Sequence, residues 1–422
     1  MMKIGLVVEH FDPRRGGLEQ WSWQFAQALL DRGHEVHVIC RSFCREAEET
    51  GLSCRQVAGG LSRLGFAQSA EEMLREMDLD IIHDTGAGWY CDVFQPHWGS
   101  WLALAEQKLL LLPRWLRPWK RLAIRCLPRY REIRRLMDRQ YRNDGRLFLA
   151  LSVQGARDFQ RFHSIHPEHI RIVQNGVDIR RFCPENRRRY RAEIRRRFGL
   201  EEDTLTALIV AHNFRLKGAP VVIEAVRRLA ANGDRVHLLV VGGKQRCSLT
   251  VGNGCRDRSQ AVTFVGPVDD TAPYYAAADV YVHPTLYDTF SLVVLEAMAS
   301  GLPVVTSRFN GVQELLHSGV ECYLLDDPLD AKELMEKIKF FGDPGIRARM
   351  GQAARRLAEQ HPFDKNVEHV LSVYEEVLQR NIRQQRRISE GNEWRPFVCR
   401  RTPPVGAEEK HSTPVFRLQE TR

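Results

Sequence analysis

Residues 3–9 (KIGLVVE) form a short apolar run with β-branched members, and this pattern predicts a strand. A loop at 11–17 follows and carries Gly16 and Gly17. Over 18–32 the side chains Trp21, Phe25, Ala28 and Leu29 recur at helical spacing, and Gly33 stops the helix. Residues 35–40 (EVHVIC) read as the next strand. Strand, helix and strand within about 40 residues make a βαβ unit, whose crossover implies a parallel sheet. Further strands are predicted at 79–83, 146–152 and 170–174.

A second alternating set begins near residue 205. Strands are predicted at 205–210, 236–241, 262–265, 280–283 and 303–306, with helices at 219–231 and 292–300. The arginine-rich stretch 180–198 joins the two sets. The expected fold class is therefore α/β, with two Rossmann-like, doubly wound domains facing a cleft. Ligand is expected at the carboxyl ends of the strands. The expected division is 1–180 for the first domain, with a basic insert at about 101–146, and 181–363 for the second. A helix at 364–380, patterned most clearly over 367–378, should return towards the first domain. Residues 381–422 lose periodicity, contain Pro403-Pro404 and read as a disordered, basic tail.

Composition changes this picture at one place. With 43% hydrophobic and 27% charged residues in 422, the chain can bury two ordinary cores, which excludes a disordered or collagenous protein. No window reaches 18 uninterrupted apolar residues, and the apolar start from Ile4 to Val8 is too short for a signal peptide. Ten scattered cysteines without a CxxC pair read as reduced cytosolic thiols, and no metal site is expected.

The net charge of +9 is local. Residues 113–146 hold eleven Arg and one Lys against Glu132, Asp138 and Asp144, which is +9 in that window alone. An anionic surface or substrate fits such a device better than nucleic acid, for which no motif is present. Trp101, Trp115, Trp119 and Ile124 interleave with Arg114, Arg117, Lys120, Arg121 and Arg125, and Pro113, Pro118 and Pro128 break the segment. An interfacial helix on anionic lipid has this composition; so does a surface insert with a solvated basic face.

The chemistry-bearing stretch is 288–305 (DTFSLVVLEAMASGLPVV). Asp288 precedes a helix, and Glu296 sits about one turn inside it. The backbone N–H groups of Phe290, Ser291 and Leu292 lie at or near the first turn, where a diphosphate is readily held. A ribose diol can donate to the Glu296 carboxylate. A capped helix with two unrelated acids has the same spacing.

This stretch resembles the E-x7-E motif of the family 4 retaining glycosyltransferases, with Asp288 where the first Glu usually stands. Residues 262–284 resemble the run before that motif, and Gly311 and Glu314 the run after it. Asn175-Gly176-Val177-Asp178, followed by Phe182 and Pro184, resembles the interdomain signature. Phe214-Arg215-Leu216-Lys217-Gly218 resembles the donor-phosphate segment, and Gly16-Gly17 the N-terminal glycine loop. The likeness spans about residues 3–375 and implies the GT-B fold.

The resemblance implies catalytic roles for Arg215 and Lys217, which would neutralise the departing diphosphate without a metal, and for Asp288. It implies donor contacts from Gly16, Gly17, Phe290, Ser291, Leu292 and Glu296, and backbone contacts to the base near Gly266 and Val268. Gly16-Gly17 is not the G-x-G-x-x-G fingerprint, which disfavours a dehydrogenase. A histidine beside the transferred sugar is expected at His97, with Asp84 as second choice. Within the family the chain resembles lipopolysaccharide-core glucosyltransferases. That resemblance implies glucose transfer from UDP-glucose, as a co-substrate and not a cofactor, to an envelope glycan or glycolipid on the inner face of the cytoplasmic membrane. A soluble acceptor, for which the basic aromatic segment is unnecessary, is one alternative; a non-catalytic nucleotide-sugar-binding homologue is another, left open because Asp288 replaces Glu.

Overall fold

The computed structural model describes residues 1–57, 62–243 and 261–389. Two parallel sheets carry the chain. The first has seven strands in the order Ser53–Gln56, Glu35–Cys40, Lys3–Val7, Ile81–Asp84, Val93–Phe94, Leu147–Ala150 and Ile170–Ile172. The second has six, in the order Val262–Gly266, Val236–Val241, Leu205–Val210, Val280–His283, Val304–Ser307 and Cys322–Leu325. Every residue of Val236–Val241, Val280–His283 and Val304–Ser307 is buried. That is why these strands read as continuous apolar runs: helices cover both faces of a parallel sheet.

In each sheet the winding reverses once. In the first, Lys3–Val7 pairs on one side with Glu35–Cys40 and on the other with Ile81–Asp84. In the second, Leu205–Val210 pairs with Val236–Val241 and with Val280–His283. Loops leaving the two central strands must diverge to opposite sides, so a crevice opens at each reversal.

Several elements lie outside the expected set. The helices Arg63–Arg75, Val153–His163, Ala331–Phe340 and Pro344–Ala358 and the strands Ser53–Gln56, Val93–Phe94 and Cys322–Leu325 complete the layers. The arginine-rich joining stretch contains the helix Asn186–Arg197. Arg195 there is buried and reaches Asp279 at 3.2 Å and Thr206 at 3.0 Å.

The chain crosses between domains twice at one place. Val177 donates to the His361 carbonyl, and Phe363 donates back to the Val177 carbonyl, each at 3.0 Å. A Cβ on Gly176 would lie 2.5 Å from the Pro362 oxygen, so only glycine fits this crossing. The helix Phe363–Ser389 then packs Val367, Val370, Val373 and Tyr374 into the core of the first domain beside Trp21 and Phe25. Trp21 Nε1 donates to Asn366 at 2.9 Å, and the Tyr374 hydroxyl lies 2.6 Å from His83 Nδ1. This helix runs nine residues past the expected limit of 380, correcting the start of the expected tail: 381–389 are helical. Residues 390–422 lie outside the described residues.

The basic segment divides in two. The helix Arg117–Cys126 buries no residue, and Trp115, Trp119 and Leu122 are 70%, 68% and 53% exposed. The helix Arg131–Gln140 instead buries Leu136, Met137 and Gln140. Among the described residues no helix is long and apolar enough to cross a membrane.

Candidate active site

The crevice of the second sheet brings together two loops far apart in sequence. The loop after Leu205–Val210 carries Phe214, Arg215 and Lys217; the loop after Val280–His283 carries Asp288. They are stitched by Leu286 N donating to the Leu216 carbonyl at 2.9 Å and Thr285 Oγ1 donating to the same oxygen at 3.2 Å. Gly218 opens the helix Ala219–Ala231 at φ 78°, and a Cβ there would collide with the Pro284 carbonyl. The loops therefore approach closely enough for Lys217 Nζ to sit 2.5 Å from Asp288 Oδ2.

His283 Nε2 faces the same carboxylate oxygen at 3.4 Å. Burial works to raise the Asp288 pKa, but the Lys217 charge and the contacts with His283 and Lys217 outweigh it and hold the carboxyl well below its ordinary range. Asp288 is thus an anion at neutral pH. Burial lowers the His283 pKa, which leaves a neutral imidazole there. Arg215 is exposed, and its guanidinium has no ion-pair partner among the described residues.

The helix Leu292–Ala299 starts beside this pair. Ser291 stands at its N-cap, but its side chain does not cap the helix; the hydroxyl turns towards His283 Nε2 at 3.4 Å. The first-turn N–H groups are left without a side-chain cap or an intrahelical acceptor. Asn310 Oδ1 accepts from Ser291 N at 3.3 Å, and Asn175 Nδ2 donates to the Phe290 carbonyl at 3.1 Å. Phe290 has its ring in the core, so only its backbone is available to a ligand.

Glu296 lines a small cavity between the domains with Gln20, Trp21, Gly176, Leu292 and Phe363. The Tyr275 hydroxyl donates to Glu296 Oε2 at 2.8 Å. Burial pushes this carboxyl up to about 7, against the lowering effects of the Tyr275 bond and the Arg181 charge.

The first domain supplies the opposite wall. A Cβ on Gly16 would stand 3.8 Å from His212 Nε2, and one on Gly17 would stand 3.4 Å from Leu292 Cδ1, so the glycine loop reaches the second domain. The His97 ring centroid lies 4.3 Å from that of Trp21, and its carbonyl accepts from Thr289 Oγ1 at 2.5 Å. His97 Nε2 is buried without a hydrogen-bond partner among the described residues. Burial, helped by nearby His83, lowers its pKa to about 3, so the ring is neutral. Asp84 differs: its oxygens accept the N–H groups of Gly86, Ala87 and Gly88 at 2.7, 2.8 and 2.8 Å. It builds the loop, and His97 keeps the unspent ring nitrogen.

Gly266 ends the edge strand of the second sheet, and its carbonyl accepts from Gly242 N at 2.8 Å. Two strand spacings, roughly 10 Å, separate it from the crevice. Val268 packs against the core of the second domain.

Sequence reasoning missed His283, Tyr275, Asn310 and the contacts that close the cleft. Glu314 accepts the N–H groups of Val153 at 2.8 Å and Gln154 at 2.7 Å, capping a first-domain helix from the second domain. The Tyr287 hydroxyl donates to Asp158 Oδ2 at 2.9 Å across the same seam. Glu314 carried a signal as part of the run after the two-acid motif, and Tyr275 and His283 lay within the run before it, 262–284.

With the geometry in place, comparison with known proteins identifies its origin. Glycosyltransferase Family 4 matches residues 15–181, and Glycosyl transferases group 1 matches residues 205–341. The chain belongs to the family 4, group 1 glycosyltransferases. Among curated members, a D-inositol 3-phosphate glycosyltransferase of Thermobifida fusca is 31% identical over 237 residues, covering 51% of this chain and 52% of that protein. One from Geodermatophilus obscurus is 28% identical over 400 residues, covering 85% and 84%. The chain spans about half the length of the first of these relatives.

Two solved structures share the GT-B fold closely. WaaG, a glycosyltransferase involved in lipopolysaccharide biosynthesis, superposes with a TM-score of 0.72 at 22% identity over 88% of this chain and 99% of that one. Anabaena HepE in complex with UDP-glucose gives 0.65 at 19% identity over 89% and 100%. This family 4 glycosyltransferase therefore carries the two-domain GT-B architecture.

Proposed function

We propose that this family 4 member is a retaining hexosyltransferase that moves glucose from UDP-glucose to a hydroxyl of an envelope glycan or glycolipid. The carrying observation is the Lys217–Asp288 pair, 2.5 Å apart, beside the uncapped start of the helix that holds Glu296. The first-turn N–H groups and Glu296 bind diphosphate and ribose. Lys217 and Arg215 take up the charge that builds on the diphosphate as the glycosidic bond breaks, without a metal. Asp288 and the unspent nitrogen of His97 address the sugar. Residues 1–180 form the acceptor side and 181–363 the donor side; attack comes from the face that the diphosphate leaves, a donor phosphate oxygen takes the acceptor proton, and the anomeric configuration is retained. UDP-glucose bound to a GT-B neighbour supports the donor.

The test is a thermal-shift screen of UDP-, GDP- and ADP-sugars, since a ligand of the folded state raises the melting point by mass action. UDP-glucose should give the largest shift, and the product should carry an α linkage by NMR. A larger shift with an ADP- or GDP-sugar would overturn the donor; a β linkage would overturn retention. EDTA should leave turnover unchanged.

A second reading has specific support: the curated relatives are named for inositol 3-phosphate, a soluble acceptor. The exposed Trp115, Trp119 and Leu122 among Arg114, Arg117, Arg121 and Arg125 favour the membrane. Each Lys or Arg near an anionic bilayer contributes about 1 kcal/mol, and salt screens it. Changing these four arginines to Gln should release the protein from anionic vesicles in pelleting assays while transfer to a soluble acceptor survives. Equal pelleting of variant and wild type would reduce the segment to a solvated face. Arg117 also donates to the Leu112 carbonyl at 3.1 Å, so a melting curve must accompany the comparison.

A further inference from the structure

The helix Arg131–Gln140 turns Leu136, Met137 and Gln140 into the first domain. Arg135, Arg139 and, just beyond its end, Arg142 recur at spacings of four and three, so they share another face. That face meets the start of the helix Arg63–Arg75 at Leu64 and Gln68. With Asp138 these residues line a solvent-open groove of about 370 Å³. Three guanidinium charges less one carboxylate leave the groove at +2.

Two of the three arginines are held in place. Arg139 sits 4.7 Å over the Trp89 ring and 3.9 Å from Glu71 Oε2. Glu71 is also engaged by Trp89 Nε1 at 2.6 Å and Arg75 at 2.7 Å, so it is shared and does not fully neutralise Arg139. Arg142 spends Nε on the Asp138 carbonyl at 3.1 Å, which leaves its terminal nitrogens for a ligand. Arg135 makes no side-chain hydrogen bond among the described residues. Gln140 ties the end of the helix to the carbonyls of Gly86 at 3.1 Å and Gly88 at 2.9 Å, in the loop after Ile81–Asp84. The groove is thereby anchored to the cleft-side rim of the first sheet.

Planar guanidinium forks match tetrahedral oxyanions and bind them in paired hydrogen bonds. A phosphate monoester carries nearly the opposite charge of this groove. We propose that the groove is a phosphate subsite that holds a phosphorylated group of the acceptor. This rests on reading the first domain as the acceptor side. The same chemistry occurs in an anionic lipid headgroup, and the experiment separates the two sources.

Isothermal titration of the full chain with inorganic phosphate and with glucose 6-phosphate, at low salt, should show millimolar binding. The R135Q/R139Q/R142Q variant should lose about tenfold or more in affinity, because charge-assisted hydrogen bonds dominate the contact. Arg135→Gln alone, at a side chain that supports nothing else, should lose several-fold and guards against misfolding of the triple variant. UDP affinity should not change in either. No binding of either soluble phosphate, or equal binding by wild type and both variants, would overturn the subsite. If neither soluble phosphate binds but the triple variant leaves phosphatidylglycerol vesicles, the headgroup is the ligand and the acceptor assignment falls. Failure of UDP to bind the wild type would sink the donor reading instead and leaves this comparison intact.

Discussion

Replacing Lys217 by Ala or Met is expected to lower turnover by about 10²–10³-fold, or roughly 2.7–4 kcal/mol of transition-state stabilisation, with UDP-glucose affinity changed far less. Bound donor already carries its diphosphate charge, but that charge grows as the sugar departs, so a cation at this spot acts mainly on the barrier. Lys217 is held at the crevice by Asp288 at 2.5 Å, so its position is set before donor binds. Arg215→Ala should act in the same direction. Asp288 retains its His283 contact at 3.4 Å without Lys217, and burial would then move its pKa upward. Steady-state kinetics with a melting curve checks the point. Wild-type turnover in both variants would remove the leaving-group role.

Glu296→Ala should raise the Kd of UDP by roughly 10- to 100-fold, the loss of about one or two charge-assisted hydrogen bonds from ribose. Calorimetry with UDP alone reads this without catalysis. The pH dependence is a second signature. The free protein holds this carboxyl at about 7 through burial, so it is largely protonated at pH 6 and ionised at pH 8. The ribose diol donates to the anion. Affinity for UDP-glucose, whose diphosphate does not titrate in this range, should therefore rise about tenfold from pH 6 to 8, and Glu296→Gln should abolish the slope. An unchanged Kd in folded Glu296→Ala, or a slope that survives in Glu296→Gln, would show that this acid does not hold the ribose.

How far the site was legible depends on how local each piece is. Asp288 and Glu296 are eight positions apart and straddle one helix start, so their relation follows from helical geometry. Lys217 and Asp288 are 71 positions apart, and nothing in either segment states that they meet. Their contact needs the strand order that places Leu205–Val210 beside Val280–His283. Asp84 and His97 show the same limit. Asp84 ends the strand Ile81–Asp84 and His97 follows the neighbouring strand Val93–Phe94, yet three backbone N–H groups occupy Asp84 while His97 Nε2 stays unpartnered. Local hydrogen bonding made that choice.

The amino-acid sequence by itself determined the alternating strands and helices, the parallel class of both sheets and the limits of elements such as Leu205–Val210, Ala219–Ala231 and Val236–Val241. It did so because a strand buried on both faces must be apolar throughout and a helix must keep its apolar stripe in period. The local charge of the basic segment was equally plain. Tertiary structure alone decided that this segment splits into an exposed tryptophan-bearing helix and a packed one that leaves its arginines in a groove. It alone placed Glu314 on a helix of the opposite domain and carried the last helix through Ser389 against the first domain. These outcomes depend on which surfaces lie opposite one another after the two domains close. Pairwise contacts between distant residues are set by packing and shape, and no periodicity within a single segment encodes them.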